Sequence, residues 1–153
     1  MSQSEPLLLH AGEGKKICIF GGIEFLVKIS SQESGGAFTL LDNINPAGTF
    51  LPPHVHANED ETFLILEGEF EFTIADQTLR AGPGAMVFAP RGIPHAFKVI
   101  SSTPGRALVL ATPGGFETCM EELSALPSDP PDMPGVFQVC ARHGIEFLPP
   151  PAE

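Results

Sequence analysis

The sequence predicts an all-β fold, a sandwich or barrel of short strands with helices only near its C-terminal end. Three observations carry this. Between Lys16 and Ala111, short runs of β-branched and aromatic residues alternate with clusters of Gly, Pro, Asn and Asp, as strands alternate with turns. Glycine and proline number 16 each in 153 residues, which suits a chain that reverses often. The run from Glu69 to Ile74 alternates strictly between acidic or polar and apolar residues, so Phe70, Phe72 and Ile74 share one buried face.

Taken in order, residues 1–15 form an N-terminal segment whose only apolar run, Leu7 to Leu9, has no basic stretch before it. This is not the pattern of a signal peptide, and a cytoplasmic location is expected. Residues 16–115 hold the expected barrel, with strands at Ile23–Ile29, Ala37–Leu41, Thr62–Leu66, Glu69–Ile74, Ala85–Ala89, His95–Ile100 and Ala107–Ala111. The run Thr62 to Leu66 is apolar on both faces, so its outer face is expected to meet a second sheet or a partner subunit. Residues 116–153 form a helical extension packing on the barrel. The spacing predicts one amphipathic helix over Phe116–Leu123 and a second over Pro134–His143, ended by Gly144. The stretch Pro127 to Asp132 reads as a stiff linker, and Pro149 to Pro151 as an extended tail.

The formal charge of −11, with scattered basic residues, argues against nucleic acid or an anionic membrane as partner. No apolar run approaches the roughly 20 residues of a membrane-spanning helix. Cys18, Cys119 and Cys140 lack CxxC spacing and are expected to be buried free thiols, not a disulfide framework or a zinc site. His10 lies outside any pattern. His143 falls in the last turn of a helix, where the dipole favours a cation.

The histidines at His54 and His56 are two apart. On an extended strand they present both imidazoles to one side, which is what a metal requires. Glu61 follows after a turn and can reach the same interior. Glu59 and Asp60 read as solvated loop residues, the alternative being that one of them replaces Glu61. The wider pattern runs Gly48, His54-x-His56, Glu61, Gly68, and then Gly84, Pro90-x-Gly92, His95. These spacings resemble both signature motifs of the cupin superfamily, with one departure: Val99 stands where the second motif ends in asparagine. The surrounding residues, including Ser34-Gly35-Gly36 and Thr112 to Glu117, resemble the small quercetin dioxygenase-like bacterial cupins.

The resemblance implies a double-stranded β-helix, or jelly roll, assembled as a homodimer. It also implies one divalent transition metal ion held by His54, His56, Glu61 and His95. Three imidazoles and a carboxylate suit Fe, Mn, Ni, Co, Cu or Zn. Residues expected to share the ligands' face are Phe63, Ile65, Phe70, Phe72, Phe97 and Val99, with Phe50 and Phe88 near them. Such a pocket is apolar and aromatic, and Glu61 is its one evident base. The sequence therefore favours a metal-dependent dioxygenase acting on a small enolisable or aromatic compound. The alternatives are a metal-dependent isomerase or lyase of the same fold, or a non-catalytic binder of a metal or small ligand.

Overall fold

The computed structural model describes residues 4–149; of the expected N-terminal segment and proline tail, residues 1–3 and 150–153 lie outside this range. Among the described residues, eleven strands form two antiparallel sheets. The strands are β1 (Lys15–Cys18), β2 (Glu24–Ile29), β3 (Thr39–Asn45), β4 (Phe50–His56), β5 (Asp60–Glu67), β6 (Phe70–Ile74), β7 (Gln77–Ala81), β8 (Met86–Ala89), β9 (His95–Val99), β10 (Gly105–Thr112) and β11 (Ile145–Phe147). One sheet has the order β1-β2-β3-β10-β5-β8 and the other β11-β4-β9-β6-β7. Two helices, α1 (Phe116–Ser124) and α2 (Met133–Arg142), precede the last strand. This is the all-β jelly roll with short C-terminal helices.

Several strands bury alternate residues toward the space between the sheets. On β10 the inward residues Ala107, Val109 and Ala111 alternate with outward Arg106, Leu108 and Leu110. Phe63, Phe70, Phe72 and Phe97 pack as one aromatic cluster, with ring centroids 5.1 to 6.3 Å apart. Beyond the area they bury, such pairs add about 0.5–1.5 kcal/mol each. Gly105 is required beside this cluster, because a Cβ there would lie 2.6 Å from the Phe70 ring.

Three strands are absent from the sequence reading. β1 is a four-residue edge strand. β7 is the outer half of the β6–β7 hairpin and is exposed except at Ala81. The third, β11, places Ile145 opposite His56 and Phe147 opposite His54, so the C-terminal segment completes a sheet as well as packing on it. Of the cysteines, Cys119 and Cys140 are buried between α1, α2 and the barrel, whereas Cys18 is exposed, against expectation.

Helix α1 is fixed by a buried carboxylate. Glu117, in its first turn, accepts a hydrogen bond from the Ser31 amide at 2.6 Å and further bonds from the Ser31 and Thr39 hydroxyls. The Thr39 oxygen in turn accepts from the Gly115 amide at 3.0 Å. Burial opposes ionisation of Glu117, but the Ser31 and Thr39 donors outweigh it and hold its pKa below the ordinary glutamate value. With the folded pKa depressed, the bonded carboxylate stabilises the fold fully above about pH 4.3, and this is lost as pH falls below that value. Glu117→Gln should cost about 1.5–3 kcal/mol at pH 7. Thermal unfolding at pH 7 and pH 3 checks this, with the gap between variant and wild type narrowing in acid.

Candidate metal centre

Two adjacent strands of one sheet and one strand of the other build the site. In the register His54 faces His95 across β4 and β9, and their ring centroids lie 4.3 Å apart. His56 is on the same face of β4, two residues on. Glu61, on β5, pairs with Ala89 and Ala111 and reaches across from the opposite sheet. All four side chains are buried, at 3–4% exposure, and one ligand atom of each lies within 4.8 Å of the others.

The hydrogen bonds fix which nitrogens face inward. His54 Nδ1 donates to the Pro52 carbonyl at 2.8 Å, and His56 Nδ1 is bonded to a Glu59 carboxylate oxygen at 2.6 Å. Both leave Nε2 free as a lone-pair donor. Glu61 Oε2 lies 3.2 Å from His56 Nε2 and 2.8 Å from His95 Nε2. Yet Glu61 Oε2 and His95 Nε2 are buried without a hydrogen-bond partner, so they approach each other without hydrogen-bond geometry. Buried polar atoms left so are costly, and a cation at their common focus would satisfy them. The residues therefore fit a divalent metal.

The electrostatics favour a ligand role for His54 and Glu61. Burial, and then the charge of His95, push the His54 pKa down to about 4, so the imidazole is neutral and ligand-competent near pH 7. Burial favours neutral Glu61, but the charges of His56 and His95 overcome this and hold its pKa at about 2. For His56, too, burial acts first and downward; Glu61 and Glu59 outweigh it and raise the pKa.

Glu59 requires a correction. Expected in a solvated loop, it is buried and is the hydrogen-bond partner of His56. The turn that carries it is pinned to the end of α2: the Ala57 amide donates to the Gly144 carbonyl at 2.8 Å, and Asn58 Nδ2 to that of His143 at 3.3 Å. Asp60 is peripheral and holds Arg91 through both carboxylate oxygens at 3.2 Å. His143 caps α2 and faces Glu122 at 3.1 Å.

A cavity of about 70 Å³ adjoins the four ligand residues, its wall almost wholly apolar. Of the pocket residues expected from sequence, Phe63 and Phe97 line it. Ile65, Phe70, Phe72 and Val99 are buried on the inner face but fill the barrel away from the cavity. Phe50 and Phe88 point outward, with 59% and 54% exposure. For Phe50 the cause is a register shift between Leu51 and His54, which reverses the facing of β4 and puts Leu51 on the cavity in its place. Phe88 sits opposite outward Thr62, so Val87 and Ala89 are the inward residues of β8. Part of the wall comes from the C-terminal segment: Phe116 and Met120 of α1, Val136 and Cys140 of α2, and Ile145 and Phe147 of β11. Its signal in the sequence was the apolar face shared by Phe116, Cys119, Met120 and Leu123.

Two facing antiparallel sheets around a buried three-histidine, one-carboxylate cluster define a β-barrel with a candidate metal site. Residues 41–111, just under half of the chain, match the family model for the cupin domain, which supports a small protein of the cupin superfamily. It is 29% identical to quercetin 2,3-dioxygenase of Bacillus subtilis (strain 168) over 96 residues, which are 63% of this chain and 28% of that protein. Dimethylsulfoniopropionate lyase DddQ of Ruegeria pomeroyi is 46% identical over 66 residues, 42% of this chain and 32% of that protein. These matches thus span less than a third of either relative's length. Among solved structures, KdgF from Halomonas sp. superposes with a TM-score of 0.66 at 17% identity, over 74% of this chain and 99% of that one.

Proposed function

We propose that this cupin is a metal-dependent dioxygenase acting on a small enolisable or aromatic compound. His54, His56, Glu61 and His95 serve as ligands, and Glu61 as the base. The observation that carries the proposal is the placement of the ligand cluster at the wall of an apolar, phenylalanine-rich cavity. When bound, a divalent transition metal of this donor set supplies a Lewis-acid centre that favours an anionic oxygen and leaves coordination positions open. Phe63, Phe97, Phe116 and Phe147 offer flat apolar surfaces to an aromatic substrate and exclude water from it. With its pKa near 2, Glu61 is a ligand first and takes a proton only from a group whose acidity the cation has raised. The similarity to quercetin 2,3-dioxygenase supports this reading. Oxygen uptake with flavonol or β-diketone substrates, abolished in His54→Ala, tests it; absence of uptake with every metal in the series overturns it.

The similarity to a dimethylsulfoniopropionate lyase favours a second reading, elimination from a small carboxylate. Aromatic faces hold onium groups by cation–π attraction, so the same cavity suits a sulfonium substrate. Release of dimethyl sulfide from dimethylsulfoniopropionate, without oxygen consumption, would select it.

The functional unit we propose is a homodimer formed through the outer face of the larger sheet. There Leu40, Leu108 and Leu110 meet Leu64, Met86 and Phe88, the last three being 37%, 69% and 54% exposed. The patch ends at the sheet edge, β8, and no described element of this chain covers it. A second copy buries it symmetrically. Sedimentation velocity should give twice the 16.3 kDa chain mass, and Met86→Lys with Phe88→Lys should return the protein to 16.3 kDa.

A further inference from the structure

Two buried amides interrupt the apolar wall of the cavity. Asn43 and Asn45 are inward residues of β3, exposed by 4% and 0%, and both line the cavity. A buried amide is costly unless each polar atom is bonded, so aliphatic residues would be the stable choice at these positions. The bonds form a chain. Asn43 Nδ2 donates to the Glu24 carbonyl at 3.2 Å, and Asn45 Nδ2 donates to Asn43 Oδ1 at 2.8 Å and to the Gly105 carbonyl at 3.4 Å. Reversing either amide would set oxygen against oxygen, so both orientations are determined by their partners. The chain ends at Asn45 Oδ1, a fully buried acceptor with no partner.

Asn45 lies far from Glu61, the ligand residue that shares its sheet. It pairs with Gly105 at one end of β10, while Glu61 pairs with Ala111 near the other, about 20 Å along the strand. The cavity touches both. We propose that Asn45 Oδ1 is a ligand-reading acceptor: the cavity takes an apolar, aromatic molecule carrying a hydroxyl or N–H donor at the end remote from His54, His56, Glu61 and His95. This deepens the functional reading above and rests on it for the cavity being the substrate site. An analogue lacking the donor leaves the acceptor buried and unpaired, which is how a hydrogen-bonding site rejects it.

The test uses p-cresol and p-xylene, which match in shape and differ in one donor, titrated into the full-length ¹⁵N-labelled protein. Binding of p-cresol about tenfold tighter than p-xylene, with a shift of the Asn45 side-chain amide resonance, is the expected result. Asn45→Leu should abolish that preference. Equal binding of the two probes, binding of neither, or a p-cresol preference that survives Asn45→Leu overturns the proposal. The wild-type comparison decides alone if the variant does not fold. Neither probe is a flavonol or a diketone and no turnover is required, so this result stands apart from oxygen uptake. Uptake without p-cresol preference would leave the dioxygenase reading and remove this one; the converse would do the reverse.

Discussion

His95→Ala should yield a folded protein that no longer retains a divalent metal. The His95 side chain has no hydrogen-bond partner on either ring nitrogen, so its removal strands no donor or acceptor of the surrounding barrel. What it removes is one of four converging ligand atoms, and the only one contributed by β9. Loss of an outer-sphere partner typically weakens metal affinity about 10–100-fold, and loss of a ligand should exceed that. Elemental analysis after dialysis should fall from near one equivalent per chain to a trace. An independent readout is thermal stability. A metal that binds only the folded chain at 100 times its Kd contributes about 2.7 kcal/mol, which for a domain of this size raises Tm by roughly 5–10 °C. Added zinc or nickel should produce that rise in the wild type and none in His95→Ala. A variant that keeps both metal and thermal response would remove His95 from the site, and the proposed oxygen chemistry with it.

Part of the ligand set was legible from short-range geometry: His54 and His56 share a face by strand periodicity alone, and Glu61 follows after one turn. His95, 34 residues beyond Glu61 and separated from it by three strands, entered only through the resemblance of the spacing to the cupin motifs. The cavity was much less legible. Period-two alternation separates inner from outer residues, and it placed Phe63, Phe70, Phe72 and Phe97 inside. It cannot say which inner residues fill the barrel and which border a void, because that depends on how volumes from both sheets add up. It also fails across an irregularity. The shift between Leu51 and His54 at the Pro52-Pro53 pair exchanges the faces of β4, so Phe50 shares parity with the ligands and still points to solvent. The wall supplied by Ile145 and Phe147 was hidden for a different reason: three residues are too few for periodicity, and only pairing with β4 defines β11. Asn43 and Asn45 lie beyond Leu41, the expected end of their strand. Their burial follows from pairing with β10, a long-range contact.

Glu59 is the residue on which the corrected picture has its sharpest consequence. Its carboxylate accepts from His56 Nδ1 at 2.6 Å, which holds the ring in the tautomer that offers Nε2 to the metal and makes that nitrogen a stronger donor. Glu59→Ala removes this acceptor, and His56 is then free to rotate or to carry its proton on Nε2. Metal affinity should fall about 10–100-fold, with the fold preserved. Glu59→Gln keeps an acceptor oxygen at the same reach but removes the charge, and should recover most of the affinity. Competition with a chromogenic chelator measures both variants, and the d–d spectrum of the cobalt form reports whether the ligand geometry has changed. A purely structural role for Glu59 would lower Tm equally in the two variants without moving the affinity of either. Affinity restored by glutamine but not by alanine, with the cobalt spectrum following it, would identify Glu59 as the residue that positions His56.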